Sequence, residues 1–517
     1  MIPVLSPQQS ATWDQSAVAD GIGLATLMEN AGRAAAAVLA DRFAGRLRDG
    51  VLVAAGPGHN GGDGWVVARA LHRLDLPVWV TAPAGGGSGA PLRERMAALA
   101  RSAGVRELAP DGPWPGIGLA VDALLGTGAA GAPRPPVASL LDRLLDLDVP
   151  LIAIDGPTGV DLLTGVVHGT PRADLTVTFG GLRRGHLLAR DEGGDVVVVD
   201  IGHPPADRAW PVLVGDREAS GWLRQLRSGD HKGERGRVVI VGGDVGMSGA
   251  LRMAARAAFA AGAGLVHGVG PAETVSALMQ AEPDLQTLVQ ALDETPGSAL
   301  LELVARADGV VVGPGLGRHP GRKALIARLV SEAKRVVLDA DGLMAFAGCS
   351  GELRQLATGR SLVLTPHPGE FRALFPHLSP GRELDPWAAA ASAAGESGAT
   401  VLLKGVPSVV ARAGYPLLTV AAGNPGLATG GSGDLLSGLI STALAHGIPD
   451  ERAAALGAQI LGRGADIAAR RVTARAMRPG DVVAALPDLW REWELARVAP
   501  PAPRPPILLE LSRPRTV

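Results

Sequence analysis

The sequence contains one cysteine, one tyrosine and only four lysines, and aromatic residues make up 3% of its 517 residues. The single Cys349 excludes an intrachain disulfide, and with it the small secreted folds that disulfides hold together. No basic residue precedes an apolar run at the N-terminus, and the Ala-rich stretches 34–40 and 253–269 are interrupted before about 18 apolar residues accumulate. We therefore expect a cytoplasmic protein with neither a signal peptide nor a membrane span.

The chain also lacks a large excess of charge of either sign, since its formal net charge is -2. Such a chain has no long-range field to attract nucleic acid or anionic lipid, so neither is an expected partner. Hydrophobic residues make up 47% of the chain, which is enough for large cores, and the length points to at least two folded domains. Lysine occurs only at 232, 323, 334 and 404, so a lysine in apolar surroundings is notable.

Short β-branched apolar runs alternate with helix-length segments in both halves of the chain. This alternation predicts an α/β protein with two three-layer domains, each with a mostly parallel sheet covered by helices. We predict domains at 1–215 and 216–498, followed by a Pro-rich tail, 499–517, that is disordered or loosely docked. The predicted strands are 51–55, 77–81, 119–122, 151–154, 175–179 and 196–199 in the first domain, and 237–241, 265–266, 310–312, 335–338, 362–364 and 400–403 in the second.

A glycine-rich loop follows the first of these strands. Gly56, Gly58 and Gly61 satisfy the G-x-G-x-x-G pattern of dinucleotide-binding loops, and we expect a helix from near Trp65. That match is weak, because strand 77–81 is not followed by the acidic residue that would hold a ribose. The loop also contains Asn60 and Asp63, whose side-chain oxygens, together with exposed backbone amides, could hold a cation beside a phosphate-bearing ligand.

Two further strands of the first domain end in carboxylates, Asp122 and Asp155. The carboxyl ends of neighbouring parallel strands open on one crevice, so Asn60, Asp122 and Asp155 are expected to meet there. The alternative is that each aspartate only caps a loop or a helix. Three such loops at successive strand ends favour a site.

The glycines of Gly430–Asp434 open an apolar-faced helix in the second domain. Successive amides at a helix N-terminus form an anion hole, and Asp434 could accept the proton of an attacking hydroxyl. A simple acidic N-cap is the alternative interpretation.

More polar residues follow the buried strands of this domain, among them Lys404, His367, and Asp339 with Asp341. Lys404 could meet a nucleotide phosphate, or could merely extend its ammonium group to solvent. His367 could stiffen its loop between two prolines, but this rim of acidic and basic groups favours a substrate and Mg²⁺ surface.

In the first domain, the loops beginning at His59, Asp122 and Asp155 resemble the three signatures of NAD(P)H-hydrate epimerases, over roughly residues 1–213. The resemblance implies a Rossmann-like domain in which Asp155 contacts the substrate as an acid/base, with His59 and Thr158 standing where the family usually has Asn and Ser. It also implies K⁺ held by Asn60, Asp122 and Thr158. The substrate contacts it implies are His59, Asn60, Gly61, Gly62, Asp63, Gly126, Thr127, Gly128, Ala129, Ala130, Gly131, Ala132 and Asp155.

Residues 220–495 resemble the ribokinase-like ADP- or ATP-dependent NAD(P)H-hydrate dehydratases. The resemblance rests on a series of ordered motifs, including Gly313–Gly317, Asp339-Ala-Asp341, Thr365–Glu370, Lys404-Gly405 and Gly431–Asp434. It implies Asp434 as the catalytic base. By the same resemblance Ala250, Gly317, His367 and Asp434 contact the hydrate, and Lys404, Gly405, Val406, Pro407, Ser408 and Gly433 contact the nucleotide, where Ser408 replaces the usual Thr.

Together the two resemblances imply a bifunctional enzyme that acts on hydrated NADH and hydrated NADPH, abbreviated NADHX and NADPHX. It would epimerise both hydrates and dehydrate the S form with ADP and Mg²⁺. They also imply a homo-oligomer, expected to be a tetramer. The residues do not decide whether ADP or ATP is the phosphoryl donor. They also do not decide whether NADHX or NADPHX is the preferred substrate. The rival hypotheses are a ribokinase-like vitamin or sugar kinase, and an N-terminal domain that only binds a ligand or RNA.

Overall fold

The computed structural model describes residues 1–84, 90–169, 172–292, 295–378, 385–500 and 502–514. The chain folds into two compact units, one formed by Ile2–Trp210 together with Ala502–Pro514, and the other by residues 211–500. No helix among the described residues combines the length and apolar character needed to cross a membrane.

The first unit contains short strands that alternate with helices, as its apolar pattern predicts. Its strands along residues 2–210 are β1 (Ile2–Leu5), β2 (Val51–Ala55), β3 (Val78–Thr81), β4 (Arg106–Leu108), β5 (Leu119–Ala123), β6 (Leu151–Ile154), β7 (Leu175–Phe179), β8 (Leu182–Arg183) and β9 (Asp195–Val199). Its helices are α1 (Pro7–Ala19), α2 (Leu24–Arg42), α3 (Ala44–Leu47), α4 (His59–His72), α5 (Pro91–Ser102), α6 (Val137–Leu145) and α7 (Arg184–Leu188).

The second unit repeats this alternation over a longer stretch. Its strands are β10 (Val212–Leu213), β11 (Arg237–Val241), β12 (Leu265–Gly270), β13 (Gln286–Val289), β14 (Gly309–Val312), β15 (Arg335–Leu338), β16 (Ser361–Leu364), β17 (Thr400–Leu403), β18 (Ser408–Ala411) and β19 (Leu418–Val420). Its helices are α8 (Asp216–Trp222), α9 (Ser248–Ala260), α10 (Ala272–Ala281), α11 (Ser298–Ala305), α12 (Arg322–Glu332), α13 (Asp341–Met344), α14 (Ser350–Ala357), α15 (Pro368–Leu374), α16 (Pro386–Ser397), α17 (Ser432–Ala445), α18 (Asp450–Ala476) and α19 (Pro479–Val498).

The sheet of the first unit begins at the C-terminal end of the chain, with strand β20 (Ile507–Leu511) at its edge. The order is β20-β9-β7-β6-β5-β2-β3-β4, and every pair is parallel except β20 with β9. Strands β2, β5, β6 and β7 are buried along their whole length, as their apolar sequences predict. Their carboxyl ends therefore define one edge of a buried parallel sheet.

Strand β20 corrects the prediction of a disordered or loosely docked tail. Residues 507–511 pair with β9, because Val196–Val199 would otherwise leave the backbone groups of an apolar strand exposed at a sheet edge. Leu509 and Leu511 lie in a short, mainly apolar run, Ile507–Leu511, within a tail that is otherwise rich in proline. Residues 501 and 515–517 of the predicted tail lie outside the described residues.

The sheet of the second unit has the order β13-β12-β11-β14-β15-β16-β17-β18-β19-β10. Strands β13 to β17 are parallel, whereas β17, β18 and β19 form an antiparallel meander. Helix α17 packs against α9 and α18, and the three share a core of leucine, isoleucine and alanine side chains. The predicted substrate loops follow β14, β15, β16 and β17 at the carboxyl edge of this sheet.

The predicted strands are confirmed, although some have slightly different ends, and the short strands β1, β4, β8, β10, β13, β18, β19 and β20 were not predicted. The prediction of a helix from near Trp65 is wrong, because α4 begins at His59. A Cβ atom on Gly61 would lie 1.9 Å from the carbonyl oxygen of Gly56, and one on Gly64 would lie 2.6 Å from Cβ of Ala123. These glycines therefore form the tightly packed first turns of the helix, and close packing explains their presence.

Candidate active sites

A pocket of about 540 Å³ opens at the carboxyl edge of the first sheet. It is lined by Asn60 and Asp63 from the start of α4, by the loop Gly126–Ala129 after β5, and by Asp155 after β6. Ala130, Gly131 and Ala132 continue the second loop beyond the pocket lining. The structure thus brings most of the predicted substrate residues of this domain to a single cavity.

Asp155 has a backbone φ of +65°, which is unusual for a residue with a side chain. One carboxylate oxygen, Oδ2, accepts hydrogen bonds from the backbone N–H of Thr127 at 2.8 Å and from its hydroxyl. The other oxygen, Oδ1, accepts from Thr178 at 3.3 Å and from Nη2 of Arg183 at 3.4 Å. Burial alone would raise the pKa of Asp155, but Arg183 and the Thr127 bonds lower it below its ordinary value. Asp155 is therefore held as a carboxylate.

Asp122 and Thr158 form a second, fully buried arrangement and are not part of the pocket lining. The carboxylate of Asp122 accepts from the Thr158 hydroxyl at 2.7 Å, from the Thr158 backbone N–H at 2.8 Å and from the Leu124 backbone N–H at 3.1 Å. Burial raises the pKa of Asp122, and these hydrogen bonds oppose the rise. Among the described residues no cationic side chain is paired with this carboxylate.

Asn60 is buried beside Asp155, and its amide group has no hydrogen-bond partner in the described part of the chain. Gly126 separates the two residues. A Cβ atom there would lie 2.9 Å from Oδ2 of Asp155 and 3.1 Å from the side-chain carbon Cγ of Asn60. The Asn60 amide and the Asp122 carboxylate are thus buried oxygen groups that could serve as ligands of a cation.

Asp63 and His59 come from the N-terminal part of α4 and also line the pocket. Burial raises the pKa of Asp63 well above its ordinary value, and the negative charges of Asp155 and Asp14 raise it further. The pocket therefore holds two carboxyl groups whose environments shift their pKa values in opposite directions, upward for Asp63 and downward for Asp155. This is a common arrangement at proton-transfer sites.

Sequence reasoning missed three ionisable residues of this pocket lining, Arg183, Asp14 and His203. His203 bonds to Asp14 at 2.8 Å and stacks on Trp13, with 4.2 Å between the ring centroids. Arg183 follows β7 after two glycines and a leucine, so the strand-end argument that selected Asp155 could have found it. The sequence carries no comparable signal for the Asp14–His203 pair, whose members are 189 residues apart.

The second unit brings its predicted polar residues together at the ends of β15, β16 and β17. The buried carboxylate of Asp339 accepts hydrogen bonds from the hydroxyl of Thr365 and from Nζ of Lys404, both at 2.9 Å. The same lysine lies 3.6 Å from Oε2 of Glu370. Burial would lower the pKa of Lys404, but Asp339 and Glu370 raise it above its ordinary value. Lys404 is thus a largely buried cation between two carboxylates.

Asp434 lies in the first turn of α17, close to this ion pair. Burial, with the negative charges of Asp339 and Asp341, raises the pKa of Asp434 to about 7, although Lys404 acts in the opposite direction. A Cβ atom on Gly433 would lie 3.5 Å from both Oδ2 of Asp339 and Nζ of Lys404. Gly431, with φ +102°, is the N-cap that allows the chain to enter the helix at this point.

The remaining predicted residues surround this cluster. Ala250 lies on α9 beside Gly315, and the backbone N–H of Gly317 donates to Asp341 at 3.0 Å. His367 caps α15 through Nδ1, which accepts from the backbone N–H groups of Gly369 and Glu370, and the ring remains largely exposed. The loop-stiffening role weighed for His367 is therefore present in the structure, while Nε2 stays accessible.

The nucleotide loop predicted at residues 404–408 is the turn between β17 and β18. The Ser408 hydroxyl lies 3.2 Å from the carbonyl oxygen of Gly405, to which it donates, and Val406 is exposed. Within the described ranges, no group of three or more His, Cys, Asp or Glu side chains is arranged to hold a metal ion.

Comparison with known proteins matches both units. A family described as NAD(P)H-hydrate dehydratase matches residues 238–488, and one described as YjeF-related protein N-terminus matches residues 24–185. The bifunctional NAD(P)H-hydrate repair enzyme Nnr of Escherichia coli strain K12 is 36% identical over 483 residues, which cover 90% of this chain and 89% of that protein. The chain belongs to the family of bifunctional NAD(P)H-hydrate repair enzymes.

Two solved structures each resemble about half of this repair-enzyme chain. A ribokinase-like superfamily protein from Enterococcus faecalis V583 has a TM-score of 0.48 at 25% identity, covering 55% of this chain and 96% of its own. An ADP/ATP-dependent NAD(P)H-hydrate dehydratase from Bacillus subtilis, co-crystallised with ATP and Mg²⁺, has a TM-score of 0.47 at 22% identity, covering 54% of this chain and 97% of its own.

Proposed function

We propose that this chain repairs hydrated NADH and NADPH in two steps. The unit containing Asp155 interconverts the R and S hydrates, and the unit containing Asp434 removes water from the S hydrate. The observation that carries the proposal is family membership over nearly the whole chain, supported in each unit by an aspartate whose pKa is shifted by its surroundings. Linking the two activities is useful, because the first step supplies the epimer that the second consumes.

Asp155 acts in the epimerase step as the acid/base at the C6 carbinolamine centre. Its carboxylate is kept ionised by Thr127 and Arg183, so it can accept a proton on entering the reaction. The substrate is proposed to lie between residues 59–63 and residues 126–132, parts of which line the pocket of about 540 Å³. Asp63, whose pKa is raised by burial and by the charge of Asp155, is a second carboxyl group beside the same step.

The residues Asn60, Asp122 and Thr158 are proposed to hold K⁺. The unpartnered amide of Asn60 and the uncompensated carboxylate of Asp122 offer oxygen ligands in a buried position. When bound, the ion supplies a positive charge that neutralises Asp122 and stabilises negative charge on the substrate. Thr158 positions Asp122 through its hydroxyl and its backbone N–H.

In the dehydratase step, Asp434 takes the proton of the C6 hydroxyl as that oxygen attacks the terminal phosphoryl group of ADP. The bond from this phosphoryl group to AMP breaks, and phosphate then leaves C6 while a ring proton is lost and the double bond returns. A pKa of about 7 suits a base that works near neutral pH. The amides at the start of α17, Gly433 among them, stabilise the phosphoryl charge.

The nucleotide is proposed to bind at residues 404–408 and Gly433. Mg²⁺ joins it there, since this ion usually binds substrate phosphates while keeping several waters. The charge of Lys404 is already shared by Asp339 and Glu370, so we propose that it acts on the nucleotide from within this ion pair. We also propose that the enzyme works in the cytoplasm as a homo-oligomer, with a tetramer as the expected state.

The test is to incubate the purified chain with a mixture of both hydrate epimers, ADP and Mg²⁺, and to follow each species by chromatography. The expected result is complete conversion to NADH or NADPH, with AMP and phosphate released in equal amounts. Replacing ADP with ATP shows which donor is preferred. A failure to consume either hydrate with either nucleotide would contradict the proposal, and a stable phosphorylated vitamin or sugar would instead indicate a kinase.

A further inference from the structure

His186 is a buried histidine next to the proposed epimerase site, and the mechanism above gives it no role. It lies in the short helix α7 and exposes 3% of its surface. Its Nε2 atom lies 2.7 Å from the backbone carbonyl oxygen of Asp155. Its Nδ1 atom accepts a hydrogen bond from the backbone N–H of Arg183 at 3.0 Å. One ring therefore contacts the backbones of two residues that are 28 positions apart in sequence and that meet in the pocket.

These two bonds fix the protonation of the ring. A backbone N–H can only donate, so Nδ1 must be the unprotonated acceptor, and a carbonyl can only accept, so Nε2 must carry the proton. Burial lowers the pKa of His186 to about 4; Arg183 and Arg190 also lower it, whereas Asp155 acts in the opposite direction. The imidazole is therefore neutral near pH 7, and its donor and acceptor directions are unambiguous.

The Asp155 backbone is held at both ends. Its N–H donates to the carbonyl oxygen of Val177 at 2.8 Å, and its carbonyl accepts from His186. Between these bonds the residue keeps the left-handed conformation that directs its carboxylate toward Thr127 and Arg183. A conformation that is unfavourable for aspartate persists only where its surroundings enforce it. The bond from His186 is one contact that enforces it.

We propose that His186 is a positioning residue for the epimerase, because its neutral ring fixes the backbones of Asp155 and Arg183 and so sets the geometry of their side-chain pair. This inference rests on the proposed role of Asp155 as the acid/base. His186 itself touches neither substrate nor ion. Its contribution is to hold the carboxylate in the conformation that accepts and returns the proton.

The test compares His186→Leu, which removes both hydrogen bonds, with His186→Gln, whose amide offers an adjacent donor and acceptor like those of the ring. His72→Leu, at the far end of α4, is the matched control. Epimerisation is measured as kcat and KM for the R hydrate in the complete chain, and dehydration of the S hydrate by the same molecules is the internal reference. Thermal unfolding of each variant is followed in parallel.

We expect His186→Leu to lower epimerase kcat by about 10- to 100-fold with little change in KM, and His186→Gln to recover most of the loss. Dehydration should stay at the wild-type level in all three variants. Equal losses in the Leu and Gln variants would overturn the inference, since the role would then be packing of the ring. Wild-type kcat in His186→Leu would overturn it as well.

The Asp155→Asn variant distinguishes a failure of this inference from a failure of the proposed acid/base role of Asp155. A large loss in Asp155→Asn beside an unaffected His186→Leu would overturn only the role of His186. An Asp155→Asn variant with full epimerase activity would overturn the role of Asp155, and the positioning role would fall with it. If His186→Leu does not fold, the His186→Gln variant still tests the inference. Restored hydrogen bonds predict a kcat near that of the wild type, whereas a packing role predicts no recovery of kcat.

Discussion

The ammonium group of Lys404 lies 2.9 Å from Oδ1 of Asp339, and this ion pair adjoins the first turn of α17, where Asp434 lies. The pair contributes to the electrostatic environment of the proposed base. Burial raises the pKa of Asp434 most, Asp339 raises it further, and Lys404 lowers it. The polar rim selected from the sequence is therefore an electrostatic unit, in which a change to one member alters the others.

The dehydratase should lose activity as the pH falls through the pKa of Asp434, which is about 7 in the free protein. A base must be ionised to accept a proton, so kcat/KM for the S hydrate should rise with pH and level off above this value. Asp339→Asn removes a negative neighbour and releases Lys404, and both effects should move the rising limb to lower pH. The exposed Asp284→Asn substitution is the control. An unmoved limb in Asp339→Asn would contradict the charge coupling.

Breaking the Lys404–Asp339 pair should destabilise the second unit. Lys404→Met leaves the carboxylate of Asp339, which is 1% exposed, without its cation, and loss of one partner of a buried pair costs about 3–5 kcal/mol. The double variant Lys404→Met/Asp339→Asn should recover part of this loss, because position 339 then carries no uncompensated charge and only Glu370 still lacks the cation. Urea unfolding of the wild type, both single variants and the double variant measures the coupling. Additive effects of the two substitutions would show that the pair is not coupled.

The pH dependence of the epimerase should respond to Arg183. The folded-state pKa of Asp155 lies below its ordinary value, so its ionised form stabilises the fold above that value, and this contribution is lost as the pH falls through the lowered pKa. Arg183→Gln removes the favourable charge, and the acid limb of epimerase kcat/KM should move to higher pH. Arg183→Lys keeps the charge but not the guanidinium geometry, so an intermediate shift is expected. Identical acid limbs in all three proteins would refute this prediction.

Potassium should stabilise the first unit if Asn60, Asp122 and Thr158 hold it. An ion that binds only the folded state raises the unfolding temperature with concentration, so KCl should stabilise the chain more than NaCl at the same ionic strength. Asn60→Ala removes one proposed oxygen ligand and should abolish the difference between the two salts. Differential scanning calorimetry without substrate measures it. Equal unfolding temperatures of the wild type in both salts would count against the ion site.

The sequence predicted the sheets well, because buried parallel strands such as Val51–Ala55 and Arg237–Val241 are short continuous apolar runs. It did not predict β20, since that strand forms only by pairing with β9, which is distant along the chain. The start of α4 was misplaced for a related reason. Its glycines signal a loop locally, whereas they are required by close packing against Gly56 and Ala123.

The site was predictable where residues follow buried strands, as Asp155 and Lys404 do. What the sequence could not supply is the state of each group. The left-handed backbone of Asp155, the raised pKa of Asp434 and the engagement of Lys404 by two carboxylates all depend on contacts between distant segments. His186 carries no motif, and only its distances to Asp155 and Arg183 identify it.

The most direct measurement follows both hydrate epimers in time with ADP and Mg²⁺ in three proteins, the wild type, Asp155→Asn and Asp434→Asn. The account predicts that the wild type consumes both epimers. Asp155→Asn should consume the S epimer at the normal rate while the R epimer declines only at the rate of its spontaneous conversion. Asp434→Asn should interconvert the epimers and yield no NADH or NADPH. Equal loss of both epimers in Asp155→Asn, or continued product formation in Asp434→Asn, would contradict the assignment of one step to each unit.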